Sequence, residues 1–305
     1  MKNLVHKIIV TSLFVMTFVH AQLKAEVSFH VSGGLTKYQI EDVPELLENM
    51  LEENPDKDIF FYVHGRSRTL EKELRRSKQI EENYNVKVLM LHWESWSSTI
   101  TRPTDNAKNA GKELSMAISY LKNFKDKHAQ IFEDKKLYAL FHSMGNLILK
   151  SYVENYSTHH LNENFFDALI MNAPDTPYKS HRDWLEKVHL SKNSYVIMNK
   201  NDFVLNASKL LDINFRHMFD DRLGLGIKFY FHHEKILSPN VLYFDLTKTS
   251  GGEHAHFVSQ RPEVKKIFNY ILSSKSEYSF TEIKNNPAED LDPYKIIKNV
   301  YYFKD

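Results

Sequence analysis

Apolar and polar positions along the chain fall into short blocks that switch between two periods. Glu26 to Val31 alternates and reads as an outer strand, and Val43 to Glu53 follows with helical spacing. Asp58-Ile-Phe-Phe-Tyr-Val63 is a nearly unbroken apolar run ending in His64-Gly65, the pattern of a parallel strand covered on both faces. Thr69 to Asn83 is highly charged, with only Leu70, Leu74 and Ile80 marking a narrow inward stripe, so it reads as a solvated surface helix. Val86 to Leu91 is the next strand, trailed by His92-Trp93-Glu94-Ser95-Trp96. Ala107, Ala110, Leu114, Ala117, Ile118 and Leu121 recur at helical spacing behind an entry at Pro103-Thr104.

The second half repeats the scheme. Leu137 to Phe141 is a strand, His142-Ser-Met-Gly145 a turn, and Leu147, Ile148 and Tyr152 lie on the helix after it. Phe165 to Met171, Tyr195 to Met198 and Val241 to Leu246 are strands, the last of them taken to close the sheet, and Arg261 to Leu272 is an amphipathic final helix. Strand and helix alternating at this spacing imply parallel pairing with right-handed crossovers, hence a doubly wound, mainly parallel α/β sheet with flanking helices. The segment from Ile213 to Asn240, rich in Phe, Met and Leu, reads either as a lid over a site or as an extra packed layer. Tyr278 to Asp305 reads as a polar tail to which no chemistry is assigned.

The first 21 residues stand apart: Lys2 and Lys7 precede an apolar run from Ile8 to Val19, and Val19-His-Ala21 suits cleavage before Gln22. A run of 12 residues is too short to cross a bilayer comfortably, so the segment reads as an export signal and residues 22–305 as one domain, periplasmic or secreted. Without those residues the chain carries 38 basic and 39 acidic side chains, a balance that calls for neither nucleic acid nor an anionic membrane as partner. Cysteine is absent, which excludes a disulfide framework, a thiol nucleophile and a cysteine-based zinc site.

In a doubly wound sheet ligands gather at the carboxyl ends of strands. Ser143 stands at such an end, at a strand-to-helix turn that would strain the backbone and project the hydroxyl, with small Gly145 two residues later. Two residues earlier stands Phe141, where glycine is usual. A serine hydroxyl needs a base and the base an orienting acid, and the chain order Ser, Asp, His is one recurring solution. His254 and His256 both follow the Gly251-Gly252 loop, and Asp202 and Asp175 both follow strands. Asp202 leads because it follows the penultimate strand of this reading, although either aspartate would equally serve as a helix cap. The backbone amides of Met144 and Arg66, with Gly65 allowing close approach, are the expected donors to an oxyanion.

Val63-His64-Gly65, Trp93-Glu94-Ser95, His142 to Asn146, Ala173-Pro174-Asp175, Asn201-Asp202-Phe-Val-Leu205 and His254-Ala-His-Phe257 occur in that order. The chain thereby resembles the α/β-hydrolases, and most closely a branch of unknown function, over roughly Asp58 to Leu272. The resemblance implies Ser143 as nucleophile, His254 as base ahead of His256, and Asp202 or Asp175 as acid. It implies cleavage of an ester, thioester or related acyl bond in a small or lipid-like substrate, with no cofactor and no metal. Two alternatives remain at this stage. One is a non-catalytic binding protein in which Phe141 closes the turn or twists Ser143 away. The other is a metal hydrolase built on His254, His256, His232 and His233, for which no coherent ligand set appears. Oligomeric state is not assigned.

Overall fold

A computed structural model describes residues 27–32, 34–99, 101–159, 161, 163–211, 221–226, 237–273, 294–297 and 300–303. The export signal lies outside them, as do Phe215, Met218, Phe219, Phe229, Tyr230 and Phe231 of the lid segment, His232 and His233, and most of the tail.

The strands are β1 (Ser28–Val31), β2 (Asp58–Val63), β3 (Val86–His92), β4 (Leu137–His142), β5 (Phe166–Asn172), β6 (Ser191–Met198), β7 (Val241–Asp245), β8 (Tyr294–Ile297) and β9 (Val300–Phe303). They form one sheet in the order β1-β3-β2-β4-β5-β6-β7-β9-β8. The six pairs running from β3 through β2, β4, β5, β6 and β7 to β9 are parallel, while β1 and β8 pair antiparallel at the two edges. The helices are α1 (Val43–Glu53), α2 (Leu70–Tyr84), α3 (Thr104–Lys127), α4 (Ile131–Asp134), α5 (Gly145–Asn155), α6 (His181–Leu185), α7 (Phe203–Leu211) and α8 (Pro262–Ile271).

The period-two alternation of the inner strands builds two cores. Ile59, Phe61 and Val63 of β2 point to the face covered by α1, α3 and α5, and Phe60 and Tyr62 point to the face covered by α2 and α8. Both faces are buried, which is why these strands read as continuous apolar runs. Thr69 caps α2 by accepting from the Lys72 amide at 3.4 Å, and Asn85 ends it in the left-handed region at φ 50°.

Two expectations change. Val241–Asp245 is not the last strand, because the segment read as a polar tail contains β8 and β9. Tyr301 of β9 is buried and stacks on Phe244 of β7 at 4.8 Å, so a short apolar run near the carboxyl end extends the sheet by pairing with a strand far back in sequence. The expected lid is described only over residues 221–226 and 237–240, and there it is packed. Leu223 and Gly224 are buried, the Leu223 amide donates to Thr176 O at 2.9 Å, and Gly224 O accepts from Asn199 at 2.8 Å. No helix among the described residues is long and apolar enough to cross a membrane.

Candidate active site

β4 delivers Ser143 at the carboxyl edge, between β2 and β5. Ser143 has φ 53°, a left-handed conformation that costs a residue with a Cβ about 1 kcal/mol and persists only when neighbours enforce it. The enforcing contacts are all present. The Ser143 amide donates to Asn172 O at 3.0 Å, and its carbonyl accepts from the amides of Asn146 at 3.1 Å and Asp175 at 3.2 Å. The buried Asn146 side chain donates to the carbonyls of Phe141 at 2.9 Å and Ser143 at 3.1 Å, bracing the turn from inside.

Two glycines are required by close approach. A Cβ on Gly65 would lie 2.6 Å from the Ser143 Cβ and 3.3 Å from its Oγ. One on Gly145 would lie 2.7 Å from Val63 O. Phe141 does not close the turn. Strand alternation sends its ring into the α3/α5 core, where it meets Phe61 edge-on at 6.4 Å, while Ser143 keeps its left-handed backbone. The steric conflict anticipated from the sequence is resolved by the core's making room for a large ring.

Asp202 follows β6 and is fully buried. One carboxylate oxygen, Oδ1, accepts from the Leu205 amide at 2.9 Å and caps α7; the other, Oδ2, lies 2.6 Å from His254 Nδ1. The helix cap and the acid partner, rival readings of an aspartate after a strand, are thus one residue using its two oxygens. The loop bearing His254 is pinned by Asn199, whose side chain donates to Gly251 O at 2.8 Å and Glu253 O at 3.1 Å. With Nδ1 engaged by a carboxylate, the ring favours the tautomer whose Nε2 accepts a proton. The His254 side chain retains 11% exposure.

The alternates are engaged elsewhere. Asp175 pairs with Arg102 at 2.9 Å and Arg222 at 3.0 Å and accepts from Ser208 Oγ on both oxygens. His256 is fully buried with Nδ1 on Asn172 Oδ1 at 3.1 Å, and burial pushes its pKa down to about 4. The two histidines of the metal alternative therefore face different partners. Among the described residues no group of three or more His, Asp or Glu is disposed to hold a metal ion.

Asn172 was passed over in the sequence, yet it sits at the centre of this network. Its carbonyl accepts from Ser143, and its side-chain nitrogen donates to His254 O at 3.0 Å and lies 3.0 Å from His142 Nδ1. The only signal was a polar residue ending an apolar strand. The His142 ring packs on His254 with centroids 4.6 Å apart, and burial, then His254, holds the His142 pKa well below its ordinary value.

On the other side of Ser143, His64 Nδ1 lies 2.7 Å from Gly65 O, and the Trp93 indole donates to His64 O at 2.9 Å. These contacts hold the His64-Gly65 turn, which packs against Ser143. Met144 directly precedes α5, so its amide lies at the positive end of that helix. The arrangement can support acyl transfer: a constrained hydroxyl, an aspartate-bound imidazole, and the Gly65 backbone packed closely against the serine.

A family model described as alpha/beta hydrolase of unknown function (DUF900) matches residues 41–272. Solved structures similar to the chain include an esterase from Pyrobaculum calidifontis, at 12% identity and TM-score 0.36, covering 72% of this chain and 77% of that one. A bromoperoxidase from Bacillus anthracis is similar at 14% identity and TM-score 0.27, covering 63% of this chain and 52% of that one. An acylaminoacyl peptidase from Pyrococcus horikoshii is similar at 13% identity and TM-score 0.34, covering 73% of this chain and 38% of that one. Likenesses of this degree carry no information about chemistry. No curated protein matches the chain.

Proposed function

Because the chain belongs to a family of α/β hydrolases of unknown function, we propose that it is an exported serine hydrolase acting on an ester, thioester or related acyl bond. The observation that carries the reading is the 2.6 Å contact of His254 Nδ1 with buried Asp202, on a loop that Asn172 ties to the strained Ser143 turn. Export rests on the basic and apolar character of residues 1–21.

In this mechanism His254 Nε2 takes the Ser143 proton as Oγ attacks the acyl carbon, forming a tetrahedral adduct. Asp202 steadies the resulting imidazolium. The amides of Met144 and Arg66 stabilise the oxyanion. Collapse breaks the bond to the leaving group, which departs with the proton from His254, and leaves an acyl-enzyme on Ser143. Water then gives a proton to His254, attacks the acyl carbon and releases the acid, and the proton returns to Ser143.

Covalent labelling by a neutral fluorophosphonate tests the reading. The wild type should be labelled and Ser143→Ala should not. A folded wild type that resists the probe overturns it in favour of a non-catalytic binding protein.

A further inference from the structure

Phe203 directly follows Asp202 and, at 75%, is the most exposed large apolar side chain among the described residues. Burial does not account for its place, because a ring left three-quarters in water gains little from hydrophobic transfer. What the ring does touch is the loop that carries His254. A Cβ on Gly252 would lie 2.1 Å from the ring's Cε2, 2.3 Å from its Cδ2 and 3.0 Å from its Cζ. The ring edge therefore fills the space that a side chain at position 252 would need, and glycine lets it lie against the loop backbone. Both parties are fixed from elsewhere. Phe203 opens α7, whose first turn is capped by Asp202 Oδ1 and anchored by Leu205, buried in a cluster with Ala173 and Leu225. On the loop, Asn199 donates to the carbonyls of Gly251 and Glu253, on either side of Gly252, and Arg261 pairs with Glu253 at 3.1 Å. One end of α7 thus meets the loop twice, through the 2.6 Å contact of Asp202 Oδ2 with His254 Nδ1 and through the ring on Gly252, two residues earlier.

We infer that Phe203 is a positioning residue, whose ring, seated on Gly252, keeps the His254 imidazole aligned on Asp202. Its consequence for rate rests on the serine-hydrolase reading; its consequence for the contact between His254 and Asp202 does not. The other ties of the loop run to carbonyls, at Gly251, Glu253 and His254, and a hydrogen bond sets a distance more firmly than it sets a tilt. The ring blocks the tilt that would swing the imidazole off the carboxylate. Because Phe203 and Asp202 are neighbours on a capped helix end, the blocking contact and the acid keep one geometry, the kind of second contact that holds a base where a small displacement is costly.

The experiment has two readouts on the purified protein. The first needs no turnover: the proton on His254 Nδ1, held by a carboxylate, should give a downfield proton NMR resonance, identified by its absence from His254→Ala. In Phe203→Ala that resonance should broaden or vanish while the urea midpoint stays at the wild-type value, and Phe203→Leu, which keeps an apolar bulk on Gly252, should restore it in part. A resonance missing from the folded wild type, or unchanged in Phe203→Ala, would overturn the inference. The second readout is kinetic, with a neutral fluorophosphonate and p-nitrophenyl butyrate as probes. Phe203→Ala should slow labelling and lower kcat by about 10-fold, with KM changed by less than about 2-fold. A rise in KM at unchanged kcat would make the ring a substrate contact and overturn the positioning role. Gly252→Ala, whose methyl group pushes the ring off its seat, should also slow labelling, and the double variant should be no slower than Phe203→Ala alone. Additive losses would show the two residues acting apart and would overturn it as well. A wild type that shows the resonance, loses it in Phe203→Ala and resists the probe would fail the serine-hydrolase reading and leave the positioning of His254 standing.

Discussion

His64 and His92 sit at the carboxyl edge of β2 and β3; His142, His254 and His256 sit at the same edge beyond β4 and β7. Rings pack against one another in both groups, His142 on His254 in the second. In the first, His64 stacks on His92 at 4.9 Å with Nε2 and Nδ1 2.9 Å apart, and His30 meets His92 edge-on at 5.8 Å. Burial, then His64 and His30, push the His92 pKa down to about 3. The nearest acid of that cluster, Glu73, is taken by Arg76 at 2.9 Å and by the Tyr62 hydroxyl at 2.8 Å. In the second group one ring differs from all the others, because His254 alone of these five bonds a carboxylate directly. On the proposed chemistry, that bond is what makes a histidine a usable base. Packed among one another or on Asn172, and held neutral, the rest serve as polar scaffold.

The largest effect that probes this contrast comes from exchanging the two kinds of histidine. On the proposed chemistry His254→Ala should slow ester hydrolysis by about 10³-fold or more, whereas His92→Gln should change the rate by less than about 10-fold while lowering the melting temperature. Equal losses of rate in the two folded variants would erase the distinction.

The aspartates form the next comparison. Asp202→Asn keeps an oxygen to cap α7 but loses the carboxylate on His254, so hydrolysis should fall by about 10³–10⁴-fold with the protein still folded. Asp175→Asn instead leaves Arg102 and Arg222 facing a neutral amide, and should destabilise by about 3–5 kcal/mol in denaturant titration. A rate loss larger in Asp175→Asn than in Asp202→Asn, at equal folded fraction, would reverse the assignment of the acid.

Acid should find the buried rings before it finds the carboxylates. His92 and His256 are held at about 3 and about 4 in the folded chain, below the ordinary 6.5. Above pH 6.5 they are neutral in both states and contribute no pH dependence. Below it the unfolded chain takes up protons that the folded chain refuses, so stability drops by about 1.4 kcal/mol per pH unit for each ring, until the folded values are reached. Urea titrations at pH 7.5, 6 and 5 should show this slope, and stability unchanged across that range would contradict the neutral assignment. The smallest effect belongs to Asn172→Ala. It frees the His254 carbonyl and strands His256 Nδ1, and should slow fluorophosphonate labelling by about 10-fold with a fall in stability of about 1–3 kcal/mol. A labelling rate equal to wild type would show that the loop is held without it.

Much of the fold was legible because inner strands are covered on both faces. Asp58–Val63 and Val43–Glu53 have the same bounds in sequence and structure, since an unbroken apolar run and a clean helical stripe leave little else to choose. β6 begins at Ser191, four residues before its apolar part. Its polar start pairs with β5, and Ser191 Oγ, donating to Asn193 O at 2.9 Å, satisfies a hydroxyl that periodicity would assign to a loop. β9 was missed because a run of four apolar and aromatic residues means little until β7 lies alongside. At the site, chain order and strand ends pointed to Ser143 and to two aspartates and two histidines, but Asn172 showed only as a polar residue at a strand end.

Local chemistry, then, was written in the chain: which segments are strands or helices, where a turn demands glycine, and which side chains have the chemistry to act as nucleophile, acid or base. Partnership was not. Asp175 is claimed by arginines 73 and 47 positions away, and Asp202 meets a histidine 52 positions on, contacts that exist only once the parallel sheet brings distant strand ends to one edge. Phe141 is the same lesson in packing. Its volume is a property of the residue, but whether that volume distorts the Ser143 turn depends on the face to which the strand turns it, and on a core assembled from remote helices.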